Sequence, residues 1–209
     1  ARIVRSWEDD LAELLVERTS ESGAHDILRR FPQGFPQSYR AGATPQEAVL
    51  DIAALDRLTA EQPTEVALLP PSQWGGSQAN ARLRLYSRSD FPLAQVLPVL
   101  SSLGAQVVSE RPFELVRVDD QGTAAPVFVF DIGLRMAADD RREEVAGAWE
   151  DTFLACWEGR CERDGFNALV AATGMDWRSI SVLRAYARYL RQAGSSFSQE
   201  YVESAVLAN

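Results

Sequence analysis

The hydrophobic period changes twice along this chain, and each change removes folds that a single pattern would allow. Trp7, Leu11, Leu14 and Leu15 recur at spacings of three and four, as one face of a helix requires. Ala81-Arg82-Leu83-Arg84-Leu85-Tyr86-Ser87 alternates apolar and polar, as a half-buried strand does. From Asp139 onward the spacing is helical again. Strands between two helical stretches predict an α+β fold, a sheet with helices on one face flanked by helical segments on both sides. Three zones follow: a helical segment at 1–65, an α+β module at 66–138 and a helical segment at 139–209. The first boundary falls in the Pro-, Gly-, Ser- and Gln-rich stretch Pro70–Asn80.

Local signals fill in the elements. Ser6 with Asp9 suits the start of the first helix, and Gly23 its end. A short helix is expected over His25–Phe31, followed by a rigid turn at Phe31-Pro32-Gln33-Gly34-Phe35-Pro36. Thr44-Pro45-Gln46-Glu47 opens a helix whose apolar face is Val49, Leu50, Ile52, Ala53, Leu55 and Leu58. In the middle zone, strands are expected at Val66–Leu69, Ala81–Ser87, Gln106–Glu110, Phe113–Val118 and Pro126–Leu134, with a break at Arg111-Pro112. A helix bearing Val96, Leu97, Val99, Leu100 and Leu103 lies among them, closed by Gly104. The last zone reads as a helix over Arg142–Cys161 and a restart at Asp164-Gly165-Phe166-Asn167. A further helix follows, capped by Asp176 and lined by Ile180, Leu183, Tyr186, Ala187 and Leu190.

Composition excludes several functions. All 21 basic residues are arginine, so chemistry that needs a lysine amine is closed to this chain. A net charge of −9 argues against general nucleic-acid binding and against anionic membranes. No apolar run approaches the roughly 18 residues of a membrane helix. The first residues lack a secretory leader, and the chain begins with Ala rather than Met. A cytoplasmic piece of a longer polypeptide is expected. Cys156 and Cys161, four residues apart, read as reduced thiols, since a zinc site needs two more ligands and His25 is the sole histidine. Neither a Gly-x-Gly-x-x-Gly turn, a phosphate loop nor a Gly-x-Ser-x-Gly elbow occurs, and Gly75-Gly76 lies in a polar loop. The adjacent acids Asp119-Asp120, Asp139-Asp140 and Glu143-Glu144 suit turns and helix starts. No catalytic residue, no metal site and no cofactor is assigned to this chain. Arg184, Arg188 and Arg191 share a helix face at spacings of four and three, beside Tyr186 and Tyr189, and form a candidate surface for docking a partner.

The stretch Ser89-Asp90-Phe91-Pro92, a Leu-containing helix and Leu103-Gly104 resemble ACT-type ligand-binding modules, in which small amino acids bind near the corresponding turn and glycine. That resemblance makes Asp90, Pro92 and Gly104 the candidate effector-binding positions. Leu93 stands where that family has a glycine after the proline. Over nearly its full length the chain also resembles an internal segment of the large bacterial NAD-dependent glutamate dehydrogenases. The resemblance rests on Phe31-Pro32 to Tyr39, Ala48-Val49-Leu50-Asp51-Ile52, Leu97-Pro98-Val99-Leu100, Glu110-Arg111-Pro112-Phe113-Glu114 and Phe130-Asp131-Ile132-Gly133-Leu134. It continues from Asp164-Gly165-Phe166-Asn167 to Ser198-Gln199. It implies a parent that deaminates L-glutamate to 2-oxoglutarate with NAD, as a cytoplasmic homo-oligomer. The present segment would be non-catalytic and serve subunit assembly or effector response. Its expected partners are the catalytic domain of the same polypeptide and other copies of itself, with a small amino acid as effector. The alternative is a free-standing ACT-like sensor of an amino acid.

Overall fold

A computed structural model describes residues 6–71, 78–136 and 142–208. Gly75, Gly76, most of the polar boundary loop, Asp139 and Asp140 lie outside the described residues. The first helix, α1 (Trp7–Arg18), starts at a reciprocal cap. Ser6 Oγ accepts from the Asp9 N–H and the Asp9 carboxylate accepts from the Ser6 N–H. Its end differs from the expectation at Gly23. Thr19 closes α1, and Ser20 caps a second helix, α2 (Glu21–Arg30), by accepting from the Gly23 N–H. A serine able to satisfy an orphan donor thus starts a helix where glycine alone suggested a stop. A four-residue helix, α3 (Gln37–Arg40), follows the Phe31–Pro36 turn. α4 (Pro45–Arg57) begins at the Thr44/Glu47 capping box with Pro45 in its first turn.

The inward side of α4 is shifted from the apolar pattern. Asp51 and Ala54 are buried with Val49, Ile52 and Leu55, while Leu50 and Ala53 are exposed. Asp51 turns inward because the hydroxyls of Tyr39 and Tyr86 donate to its two oxygens. Those bonds compensate burial of the carboxylate, which is otherwise costly.

Four strands, β1 (Thr64–Leu69), β2 (Ala81–Ser87), β3 (Ala105–Val118) and β4 (Ala124–Met136), form one antiparallel sheet in the order β1-β2-β4-β3. With the helices before and after it, this is the expected mixed class of helix and sheet. The break at Arg111-Pro112 does not occur, and β3 runs unbroken through it. β3 is an edge strand, so a residue without an N–H can face outward there at no cost in ladder hydrogen bonds. β2 is buried at every position, Arg82 and Arg84 included. The alternation of residue type is real but does not alternate with solvent, because side chains on both faces of β2 are buried. Asp119 Oδ1 accepts from the N–H groups of Gln121 and Thr123 and shapes the β3–β4 turn.

Between β2 and β3 lies α5 (Leu93–Ser102); after β4 come α6 (Arg142–Trp157), a 3₁₀ turn at Gly165–Ala168, α7 (Leu169–Thr173), α8 (Trp177–Gln192) and α9 (Gln199–Leu207). The chain divides into two compact units. One comprises Ala1–Glu65, Leu85–Asp90 and Arg111–Asp131; the other comprises Val66–Arg84, Phe91–Glu110 and Ile132–Asn209. Within the first, α1 packs on α2 and α4, and Trp7, Phe31, Phe35, Tyr39 and Phe113 form a chain of ring contacts with centroids 4.7 to 6.2 Å apart. Within the second, Val96, Val99 and Leu100 of α5, Trp149 and Phe153 of α6 and Ile180 of α8 are fully buried.

Two glycines of the second unit should respond oppositely to alanine. Gly104 holds φ +73°, and a Cβ there would meet the Ala168 Cβ at 3.3 Å. Gly104→Ala should cost about 1–2 kcal/mol for the left-handed backbone alone. Gly147 lies inside α6, and a Cβ there meets nothing within 4 Å. Gly147→Ala should therefore stabilise by about 1 kcal/mol. Urea midpoints of the two variants on opposite sides of the parent's check both statements; a shift in the same direction would reject them.

Candidate functional site

The residues that build the best-defined polar site come from the C-terminal half of the second unit. Asp176 caps α8 by accepting from the N–H groups of Arg178 and Ser179. The Ser179 hydroxyl bond to its other oxygen, then these backbone bonds, hold its carboxyl below the ordinary aspartate range. Two turns along α8, Arg184 points inward and is 3% exposed. Its Nε and Nη2 donate to the two carboxylate oxygens of Asp164 at 2.6 and 2.8 Å. Nη2 also donates to Asn167 Oδ1 at 2.9 Å, and Nη1 to Ser181 Oγ at 3.3 Å. The pair is bidentate, the strongest geometry an arginine and a carboxylate adopt. Burial works against the guanidinium charge, but the hydrogen bonds and charge of Asp164 outweigh it and raise the Arg184 pKa.

Arg184 is a donor only, so it fixes which way the Asn167 amide faces. With Oδ1 on Arg184, Nδ2 donates to the Glu162 carbonyl at 2.6 Å and reaches Ser102 Oγ and Cys156 Sγ, each at 3.3 Å. Cys161 Sγ lies 3.6 Å from Asn167 Oδ1. Burial, reinforced by the neighbouring Cys161 thiol, pushes Cys156 up to about 12, which leaves it protonated at neutral pH. From the other side, Gln199 of α9 donates to Asp164 Oδ2 at 3.3 Å and to Glu203 Oε1 at 2.8 Å. A Cβ on Gly165 would fall 2.4 Å from Glu203 Oε2, so a larger residue there would displace that carboxylate. Asp164-Gly165-Phe166-Asn167 is thus the hub on which α5, α6, α8 and α9 meet. Its donors and acceptors are engaged with one another, and the arrangement serves to hold helices together.

The predicted docking arginines are therefore not one surface. Arg184 is withdrawn into the hub, because Asp164 and Asn167 offer a buried cation the partners that it requires. Arg188 is exposed, with Nη1 donating to Glu162 Oε1 at 2.9 Å. Arg191 is exposed and makes no ion pair among the described residues. The helix that buries Arg184 keeps only part of the predicted apolar stripe inward: Ile180 and Ala187 are buried, whereas Tyr186 and Leu190 are 65% and 53% exposed. With Val182 and Tyr189 they leave an apolar row on the outside of α8.

The predicted effector positions are placed as follows. Asp90 is exposed ahead of α5. Pro92 is the N-cap residue of α5 and Gly104 lies past its other end, so ten helical residues, about 15 Å, separate them. The direction in which Gly104 lacks a side chain is taken by Ala168 rather than left open. Neither Asp164 nor Asn167 was anticipated as a hub; the signal available was the restart of the chain at Asp164-Gly165-Phe166-Asn167. The described residues can be compared with what NAD requires. A dinucleotide needs a parallel strand, a glycine-rich turn and a helix, whereas the sheet is antiparallel and the turn into α5 is Ser89-Asp90-Phe91-Pro92. The residues described do not fit that group. Among the described residues no helix is long and apolar enough to cross a membrane.

Three family models match successive parts of the chain. Residues 14–58 match helical motif 2 of glutamate dehydrogenase, 63–146 its ACT3 domain and 161–209 its helical motif 3. The NAD-specific glutamate dehydrogenase of Halomonas elongata is 33% identical over 204 residues, 96% of this chain and 12% of that protein. That of Pseudomonas aeruginosa is 33% identical over 205 residues, covering 98% and 12%. That of Mycobacterium tuberculosis is 32% identical over 207 residues, covering 96% and 12%. The chain spans about 12% of the length of these curated relatives.

Proposed function

Because the chain belongs to the glutamate dehydrogenase family, of which it carries helical motif 2, the ACT3 domain and helical motif 3, we propose that it is a non-catalytic assembly segment of an NAD-dependent enzyme. The parent oxidises L-glutamate to 2-oxoglutarate with NAD in the cytoplasm, and NAD and the reacting groups belong to its catalytic part. The segment's work is to hold that catalytic part and other copies of the polypeptide in register. One observation carries this reading. Val182, Tyr186, Tyr189 and Leu190 of α8 are each more than half exposed, and large side chains in such a row mark contact surfaces. Tyrosines with exposed rings supply much contact area at little cost in side-chain entropy. The space beside Gly104 that an effector would use is closed by Ala168, which favours assembly over amino-acid sensing.

The test is Tyr186→Glu with Tyr189→Glu in the parent polypeptide. Both side chains point outward, so the variant chain should melt where the unaltered one does. Sedimentation of the parent is expected to shift to smaller assemblies. Unchanged assembly with unchanged melting would overturn the proposal.

A further inference from the structure

The hub holds two cysteines that the assembly reading does not use. α6 ends at Trp157, and the chain turns back through Gly159 in the left-handed region. The N–H groups of Arg160 and Cys161 then both donate to the Ala155 carbonyl, at 2.8 and 3.0 Å. Cys161 is thereby folded onto the residue preceding Cys156. Both sulfurs face the same groups: they lie 3.7 and 3.5 Å from the Glu162 carbonyl, and Cys156 and Cys161 lie 3.3 and 3.6 Å from the two polar atoms of the Asn167 amide. Both thiols are free. They differ in access. Cys156 is fully buried, whereas Cys161 is 7% exposed and lines an open cavity of about 320 Å³ with Arg160, Arg184 and Arg188.

We infer that Cys156 and Cys161 form a disulfide-competent pair, in which Cys161 meets a small disulfide oxidant through the arginine-lined cavity and Cys156 resolves it. The Cys161 thiolate attacks one sulfur of the oxidant, forming a mixed disulfide and expelling one thiolate. Cys156 passes its proton to that thiolate and attacks the Cys161 sulfur, expelling the second thiolate, which takes a proton from water. Two cysteine thiols lose two electrons and two protons, and the oxidant becomes two thiols. The arginines favour the approach of an anionic oxidant such as oxidised glutathione. The resolving step is the slow one, because Cys156 is held protonated by its burial. The bridge removes the Cys161 S–H donor from Asn167 Oδ1, the atom that also accepts from Arg184, so the oxidation state of the pair sets how firmly α8 is held.

The probe is excess oxidised glutathione on the folded chain at mildly alkaline pH, followed by acid quench, denaturation and alkylation. The expected result is loss of both alkylatable thiols with an intact mass lower by two hydrogens. Tryptic cleavage after Arg160 should release residues 143–160 and 161–163 only as a linked pair. Cys156→Ser should stop at a glutathione adduct on Cys161. Two alkylatable thiols remaining on the folded chain, under conditions that oxidise the unfolded chain, would overturn the inference. So would a stable adduct on Cys161 in the parent sequence. Should Cys156→Ser not fold, the peptide map of the parent sequence decides alone.

Discussion

Arg184→Ala should destabilise the second unit by about 3–5 kcal/mol, the usual cost of leaving a buried charge without its partner. For a chain of this size that corresponds to a fall in Tm on the order of 10 °C. Three groups lose a strong partner at once. Among the contacts described above, Asp164 keeps only Gln199, Asn167 Oδ1 keeps only the weak Cys161 thiol donor, and Ser181 Oγ loses the Arg184 donor. The loss should be local to α8 and α9 before it is global, and trypsin should cut first after Arg188 and Arg191. Asp164→Leu alone should cost a similar amount, because it leaves the guanidinium buried and unpaired. The double variant Arg184→Met, Asp164→Leu should recover much of the loss, since apolar side chains of similar volume often replace a buried pair without penalty. A double variant as unstable as the sum of the singles would show that the two residues act independently, against the bidentate geometry.

Parts of this arrangement were legible in the sequence because they are local. Ser6 with Asp9, Thr44 with Glu47, and Asp176 ahead of α8 are caps, and a cap needs only its own three or four residues. Arg184 was not legible in the same way. Its direction depends on a carboxylate 20 residues earlier in the chain, and the apolar spacing of α8 placed Tyr186 and Leu190 inward with Ile180 and Ala187. Pro112 posed the same difficulty: whether proline breaks a strand depends on whether that strand is at the edge, which sheet order decides and local sequence does not. The words that carried the family resemblance include the buried polar sites. Tyr39, Asp51, Asp164 and Asn167 all belong to them, and each makes side-chain hydrogen bonds that few other residue types could make in that place. The resemblance was thus recognisable from residues whose structural purpose the sequence did not disclose.

Asp51→Ala should be the most damaging single change in the first unit. The carboxylate is 2% exposed and accepts from the hydroxyls of Tyr39 and Tyr86, the latter at 2.7 Å. Removing it takes the carboxylate acceptor from two buried hydroxyls, each loss costing about 1–3 kcal/mol. A total of about 3–5 kcal/mol is expected, read as a lower urea midpoint with no change in slope. Tyr86→Phe removes one donor and leaves the carboxylate bonded to Tyr39, so its cost should be about 1–2 kcal/mol. In the Asp51→Ala background Tyr86→Phe should cost little or help, because the hydroxyl it deletes no longer has Asp51 to bond. The coupling between the two changes should reach about 1–2 kcal/mol. Additive losses would mean that the Tyr86 hydroxyl is satisfied elsewhere. The inward turn of α4 would then depend little on the Tyr86 hydroxyl.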